Sequence, residues 1–187
     1  AIGASTGGLH AITQLIQALP PRLRAPILVT QHLPTTFLPL FAHQIEAACG
    51  RRVRVAESGS LLRPDEILLA PGDAHIDLEQ HGSRVKVKLS NEPSDSGCTP
   101  SVDVMLAAVA RIYGRSGVGV VLSGMGRDGL GGGRRLATAG GRILAQNRES
   151  SAVWGMPGAI AGAGIACCIE SPAALAREIG EWAAAAR

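Results

Sequence analysis

The sequence predicts an α/β fold: a doubly wound, mostly parallel sheet with an antiparallel β-hairpin extension. Three observations predict it. Short continuous apolar runs alternate with segments of helical periodicity, the pattern of strands covered by helices on both faces. Apolar residues make up 46% of the 187 residues but aromatics only 3%, so Ala, Val, Leu, Ile and 24 glycines must carry the packing. Residues 52–90 break the alternation with short, partly alternating runs that read as β-hairpins.

Each element follows from its own stretch. "AIGA" (1–4) is a short strand, and "GLHAITQLIQAL" (8–19) a helix with Leu9, Ile12, Ile16 and Leu19 on its apolar face. "PPRLRAP" is a loop, "ILVTQ" a buried strand, and "TTFLPLFAHQIEAAC" a helix. The middle runs "RVRVAE", "DEILLA", "AHIDLE" and "SRVKVKLS" supply the hairpins. "SVDVMLAAVARIYG" is a helix and "VGVVLS" a buried strand, followed by the glycine-rich "GMGRDGLGGG" and a further helix. "GRILAQN" is a strand, "PGAIAGAG" a helix, and "IACCIE" a strand. "PAALAREIGEWAAAAR" closes the chain as an alanine-rich helix with Pro172 in its first turn. No repeat, linker or low-complexity segment divides residues 1–187, which read as a single domain.

Composition excludes several functions. The balance of 18 Lys+Arg against 15 Asp+Glu leaves a net charge of only +3, with no dense basic run for a phosphate backbone. The scarcity of aromatics removes the stacking platforms that single-stranded nucleic acids need. Cys49, Cys98, Cys167 and Cys168 form no C-x-x-C, so reduced, buried thiols are expected, with Cys167 and Cys168 in the core. No signal peptide is evident, and the longest apolar run, residues 159–169, is too short to span a bilayer. The chain opens inside a predicted strand without an initiator Met, as an excised domain of a longer protein would.

The chemistry-bearing residues lie at strand ends. In open parallel sheets, ligands bind outside the carboxyl ends of the strands. Ser5 follows the first strand, His32 follows "ILVTQ", and Met125 and Asp128 follow "VGVVLS". Neighbouring strands run about 4.8 Å apart, so side chains from adjacent ends can meet. A serine, a histidine and an aspartate there form the set for a nucleophile, its base and an orienting acid. Gly3-Ala4-Ser5-Thr6-Gly7 also satisfies G-x-S-x-G, a tight strand-to-helix turn that exposes a hydroxyl. The helix after it offers amides and a positive dipole end to an oxyanion.

Plainer readings stand beside this one. Ser5 or Thr6 in a glycine turn serves equally as a helix cap, as does Asp128 before "GLGGGRRL". Residues 124–129 match G-x-G-x-x-G, the dinucleotide fingerprint. The fingerprint expects an acid at the end of the following strand, but that strand ends in Gln146-Asn147 and the one after "GASTGG" in Gln31-His32. His10, His43, His75 and His81 show no metal-ligand spacing, which points to surface or structural roles. Trp154 and Met156 in "VWGMP" either wall the site or fill the core, and Arg134 and Arg135 are either solvated or attract an acidic partner.

"AIGASTGG", "VTQHLP", "APGDAHI", "PSVDVML", "LSGMGRDG", "ILAQN" and "VWGMP" occur in this order along nearly the whole chain. In that order the chain resembles the catalytic domain of the chemotaxis protein-glutamate methylesterases (CheB). The resemblance implies hydrolysis of glutamate γ-methyl esters on the cytoplasmic helices of methyl-accepting chemoreceptors, with release of methanol, and in related enzymes deamidation of particular receptor glutamines. It implies Ser5 as nucleophile, His32 as base and Asp128 as orienting acid, with Thr6 beside the nucleophile and the Met125 amide as an oxyanion donor. No metal or organic cofactor is implied, nor any nucleic-acid partner or membrane insertion. The setting would be a cytoplasmic two-component pathway. There the family carries an upstream receiver domain fed by a histidine kinase; residues 1–187 contain no such domain. Three positions depart from the family pattern. Thr99 stands where Arg commonly precedes "PSVD", His10 where an acid is common, and Arg127 where Asn is common.

Overall fold

The structure is a computed structural model and describes residues 1–185; the last two residues of the predicted final helix lie outside the described residues. The strands are β1 (Ile2–Ala4), β2 (Ile27–Gln31), β3 (Val53–Val55), β4 (Ile67–Leu69), β5 (His75–His81), β6 (Arg84–Ser90), β7 (Val118–Val121), β8 (Arg142–Gln146) and β9 (Cys168–Glu170). The helices are α1 (Gly8–Ala18), α2 (Leu38–Cys49), α3 (Val102–Tyr113), α4 (Leu130–Thr138), α5 (Met156–Gly162) and α6 (Pro172–Ala185).

Seven of these strands form one parallel sheet in the order β3-β4-β2-β1-β7-β8-β9. The chain builds outward from β1 on one side through β2, and later on the other through β7. The order therefore reverses at β1, where doubly wound sheets open a crevice for ligands. β1, β2 and β7 are almost wholly buried, which explains why they read as unbroken apolar runs.

Helices cover both faces. On one face Ile12, Leu15 and Ile16 of α1, Phe41 and Ile45 of α2, and Leu175 and Ile179 of α6 pack on Ile2, Val29 and Leu69. On the other, Met105, Leu106 and Val109 of α3, Leu136 of α4 and Ile160 of α5 pack on Leu28, Leu68 and Val121. Each fully buried side chain of this size contributes roughly 1.5–3 kcal/mol. The β5-β6 hairpin, paired antiparallel from His75–Ser90 to His81–Arg84, lies outside the main sheet. It closes the second core with Ile76, Leu78 and Val87.

Three expectations need correction. Of the middle runs, only β5 and β6 form a hairpin; β3 and β4 pair in parallel and extend the main sheet. They lack the helix that usually joins parallel strands. A buried Glu66 next to β4 receives a two-pronged bond from Arg54 of β3, at 2.9 and 3.0 Å, and ties the pair together. Secondly, Leu9 is 39% exposed, and Leu15 occupies the inward position instead. Thirdly, all four cysteines are free but none is fully buried, and Cys167 is exposed just before the edge strand β9.

Candidate active site

The crevice at β1 collects residues from three strand ends. The ladder continues past the strands: His32 N–H donates to Ala4 O at 3.2 Å, and Ser5 N–H to Ser123 O at 3.0 Å. The backbones carrying Ser5, His32 and residues 123–128 are thereby held in register.

The turn after β1 depends on its glycines. A Cβ on Gly3 would run into the Val102 side chain. Gly7 has φ 79°, and a Cβ there would also stand 2.6 Å from Ala152 and 2.8 Å from Ser123 Oγ. The buried Gln31 amide donates to Ser5 O at 2.9 Å and His32 O at 3.3 Å, joining two of the expected site residues through one side chain. Ser123 Oγ donates to Thr6 O at 2.7 Å, and the Ser123 amide is held by the buried Gln146.

His32 and Asp128 meet directly, with Nε2 2.8 Å from Oδ2. Asp128 is 3% exposed and collects three further donors. These are the Val102 amide at 2.7 Å, the Asp103 amide at 3.0 Å and the Ser101 hydroxyl at 2.8 Å. Asp128 therefore caps a helix, but it is α3, reached through space, and not the α4 that follows it in sequence. Burial alone would raise its pKa; the bonds from His32, the two amides and Ser101 outweigh burial and hold the carboxyl below its ordinary range. An anion fixed in this way keeps the Nε2 proton of His32, which leaves the ring's free lone pair on Nδ1.

Ser5 lies half-buried between these two strand ends. No hydrogen bond joins its hydroxyl to His32 among the described residues, a looseness common in sites without substrate. Thr6 is exposed and Met125 is 70% exposed at the rim, on the turn that leads to Asp128. Phe37 and Leu40, at 55% and 59%, are also exposed where the chain continues from His32 into α2. Thr99, His10 and Arg127 are all exposed. Trp154 is half-buried, its Nε1 donating to Gln146 O, and Met156 is core. Arg134 and Arg135 are exposed on α4.

Two groups do more than the sequence indicated, which offered His75 only a surface or structural role and Cys98 only a reduced, buried thiol. His75 is fully buried: Nδ1 accepts from the Ser101 amide at 2.9 Å, and Nε2 lies 3.0 Å from Glu92 O. The hairpin thus braces the residue whose hydroxyl holds Asp128. Cys98 is the other; its thiol lies beside His32 and Asp128. Burial and then the Asp128 charge raise the pKa of that thiol.

A family model described as CheB methylesterase matches residues 1–179. The chain belongs to the CheB methylesterase family. A CheB relative from Trichodesmium erythraeum, named protein-glutamate methylesterase/protein-glutamine glutaminase, is 40% identical over 179 residues, covering 96% of this chain and 51% of its own length. One from Rhodospirillum rubrum, named protein-glutamate methylesterase/protein-glutamine glutaminase 1, is 42% identical over 177 residues, covering 92% and 45%. The chain thus spans about half the length of these curated relatives. The crystal structure of the Thermotoga maritima CheB methylesterase catalytic domain superimposes with a TM-score of 0.93 at 31% identity, over 97% of this chain and 96% of that one. The doubly wound sheet with its hairpin is therefore the CheB catalytic-domain fold. Among the described residues, no helix is long and apolar enough to cross a membrane.

Proposed function

We propose that this chain is a serine hydrolase that removes methyl groups from glutamate γ-methyl esters of chemoreceptors and also deamidates receptor glutamines. The observation that carries it is the His32–Asp128 pair at 2.8 Å, set across the crevice from Ser5 at the reversal point of the sheet. Names of the relatives in the family support the substrate class.

In this reading Ser5 Oγ attacks the ester carbonyl and passes its proton to His32 Nδ1. Asp128 stabilises the imidazolium. No hydrogen bond within the described residues uses the amides of Thr6 or Met125, and these donors receive the oxyanion, an interaction worth about 10²–10³ in kcat per donor. Methanol, or ammonia from a glutamine, leaves with the His32 proton. Water then attacks the acyl-enzyme, His32 takes its proton, and Ser5 is regenerated with a free glutamate. The exposed Met125, Phe37 and Leu40 offer an apolar rim to the cytoplasmic helix of the receptor. An upstream receiver domain in a two-component pathway would govern access, with Thr99 and Arg127 tuning receptor choice.

Methanol release from a methylated receptor tests the assignment. Ser5→Ala should lower kcat by at least about 10³, since only binding and oxyanion donors remain. Undiminished turnover would remove Ser5 from the mechanism.

A further inference from the structure

Cys98 brings a thiol to the catalytic residues, yet no step of ester hydrolysis uses it. One ligand atom from each of His32, Cys98 and Asp128 lies within 4.8 Å of the other two, the only such group of three among the described residues. An imidazole, a thiol and a carboxylate are the three side-chain types that bind Zn²⁺. Bond lengths of about 2.0–2.3 Å place tetrahedral ligand atoms about 3.3–3.8 Å apart. To meet that spacing the His32–Asp128 contact of 2.8 Å opens by about half an ångström and the sulfur closes by up to about 1.3 Å.

We propose that His32, Cys98 and Asp128 form a site for a thiophilic divalent cation, Zn²⁺ in the first instance, whose binding shuts the catalytic centre. The ligands sit on a prepared frame. Asp128 is fixed by Ser101, Val102 and Asp103. The Cys98 carbonyl accepts from Ser94 Oγ at 2.9 Å and its amide donates to Ser96 Oγ at 3.4 Å. Cys98 and His32 are both partly exposed, which leaves a way in and a fourth position for water. Mg²⁺ and Ca²⁺ do not suit the site, because they require several oxygen ligands and only one is offered.

Binding releases the thiol proton to solvent and leaves the imidazole neutral. On Nε2, the cation displaces the ring proton to Nδ1, where Ser5 needs a lone pair. On Nδ1, it occupies that lone pair itself. Either way the base is lost while the cation stays. The inhibitory half of the proposal rests on the catalytic reading of Ser5 and His32; the binding half rests on the cluster alone.

Two measurements on the same protein separate these halves. Chelator-treated protein is titrated with Co²⁺, and the thiolate-to-cobalt charge-transfer absorption is followed. We expect saturation at one equivalent and displacement by Zn²⁺. The signal should persist in a Cys49→Ser/Cys167→Ser/Cys168→Ser variant. Affinity should fall at least tenfold in both Cys98→Ser and Cys98→Ala, since even an outer-shell partner is worth about 10–100-fold. Absence of the band at saturating Co²⁺, or its survival at wild-type affinity without Cys98, overturns the site. Methanol release is then read as the ratio with and without Zn²⁺ in each variant. The ratio should fall in wild type, recover with chelator, and stay near one without Cys98. Cys98-dependent Co²⁺ binding in a protein lacking esterase activity would uphold the site and sink the catalytic reading. Binding without inhibition of an active esterase would overturn the inhibitory half.

Discussion

Asp128 Oδ2 accepts the Val102 amide at 2.7 Å, so the acid that holds His32 is also the N-terminal cap of α3. The two tasks share one oxygen. The cap fixes where the carboxylate sits, and the carboxylate fixes how the imidazole turns. Site and fold are therefore coupled at this residue, and substitutions near it should register in both activity and stability.

Asp128→Asn tests that coupling directly. The side chain keeps its shape but presents an amide NH₂ to donors that need an acceptor. Loss of the orienting charge should lower kcat by about 10⁴. Loss of charge-assisted bonds to the α3 amides should lower stability by about 1–3 kcal/mol. Steady-state methanol release and urea unfolding read the two effects on one preparation. A fall in stability with kcat within a few-fold of wild type would leave Asp128 as a cap alone.

His75 supports the same centre from one step further out. His75→Leu removes the acceptor for the Ser101 amide and leaves it buried, as well as stripping the partner of Glu92 O. The expected loss is about 1–3 kcal/mol by thermal or urea unfolding. His75→Gln, which keeps a donor and an acceptor, should recover part of it. Equal stability of wild type and His75→Leu would show that the bridge carries no weight.

Acid sensitivity should centre in part on Glu66. The Arg54 fork is the largest influence on its carboxyl and, against burial, holds its pKa below the ordinary 4.5. A carboxyl depressed in the folded state contributes stability that is fully present above its unfolded pKa and is lost as pH falls through the folded value. Glu66→Gln should therefore be less stable than wild type at neutral pH, and the gap should close as pH falls below 4.5. Urea midpoints of the two proteins across that range give the comparison; a gap independent of pH would contradict the assignment.

The placement of Ser5, His32 and Asp128 was legible because β1, β2 and β7 are buried, continuous apolar runs whose ends share one sheet edge. The parallel pairing of β3 with β4 was not. Each has three residues and no crossover helix joins them, so the local signal was that of a hairpin. The partner of Asp128 was equally hidden, because local reading offered α4 as the helix to cap whereas the actual contact is 26 residues away. Leu9 fitted the apolar period of α1 yet faces solvent, since periodicity marks a face without saying which of its margins the core reaches. Cys98 and His75 carry no spacing signal, and their roles exist only through the loop that folds residues 91–101 back over the crevice.

Val102 has one more consequence. Its isopropyl group fills the space that a side chain on Gly3 would take, and a Cβ on Gly129 would stand 3.0 Å from the same group. Gly3 lies two residues before Ser5, and Gly129 directly follows Asp128. One aliphatic side chain thus acts as a gauge block, setting the gap between the turn that carries Ser5 and the turn that carries Asp128. A bulkier residue at 102 would prise the two apart without altering Ser5, His32 or Asp128. On the proposed serine-hydrolase reading, position 102 is a dial for turnover that itself performs no chemistry.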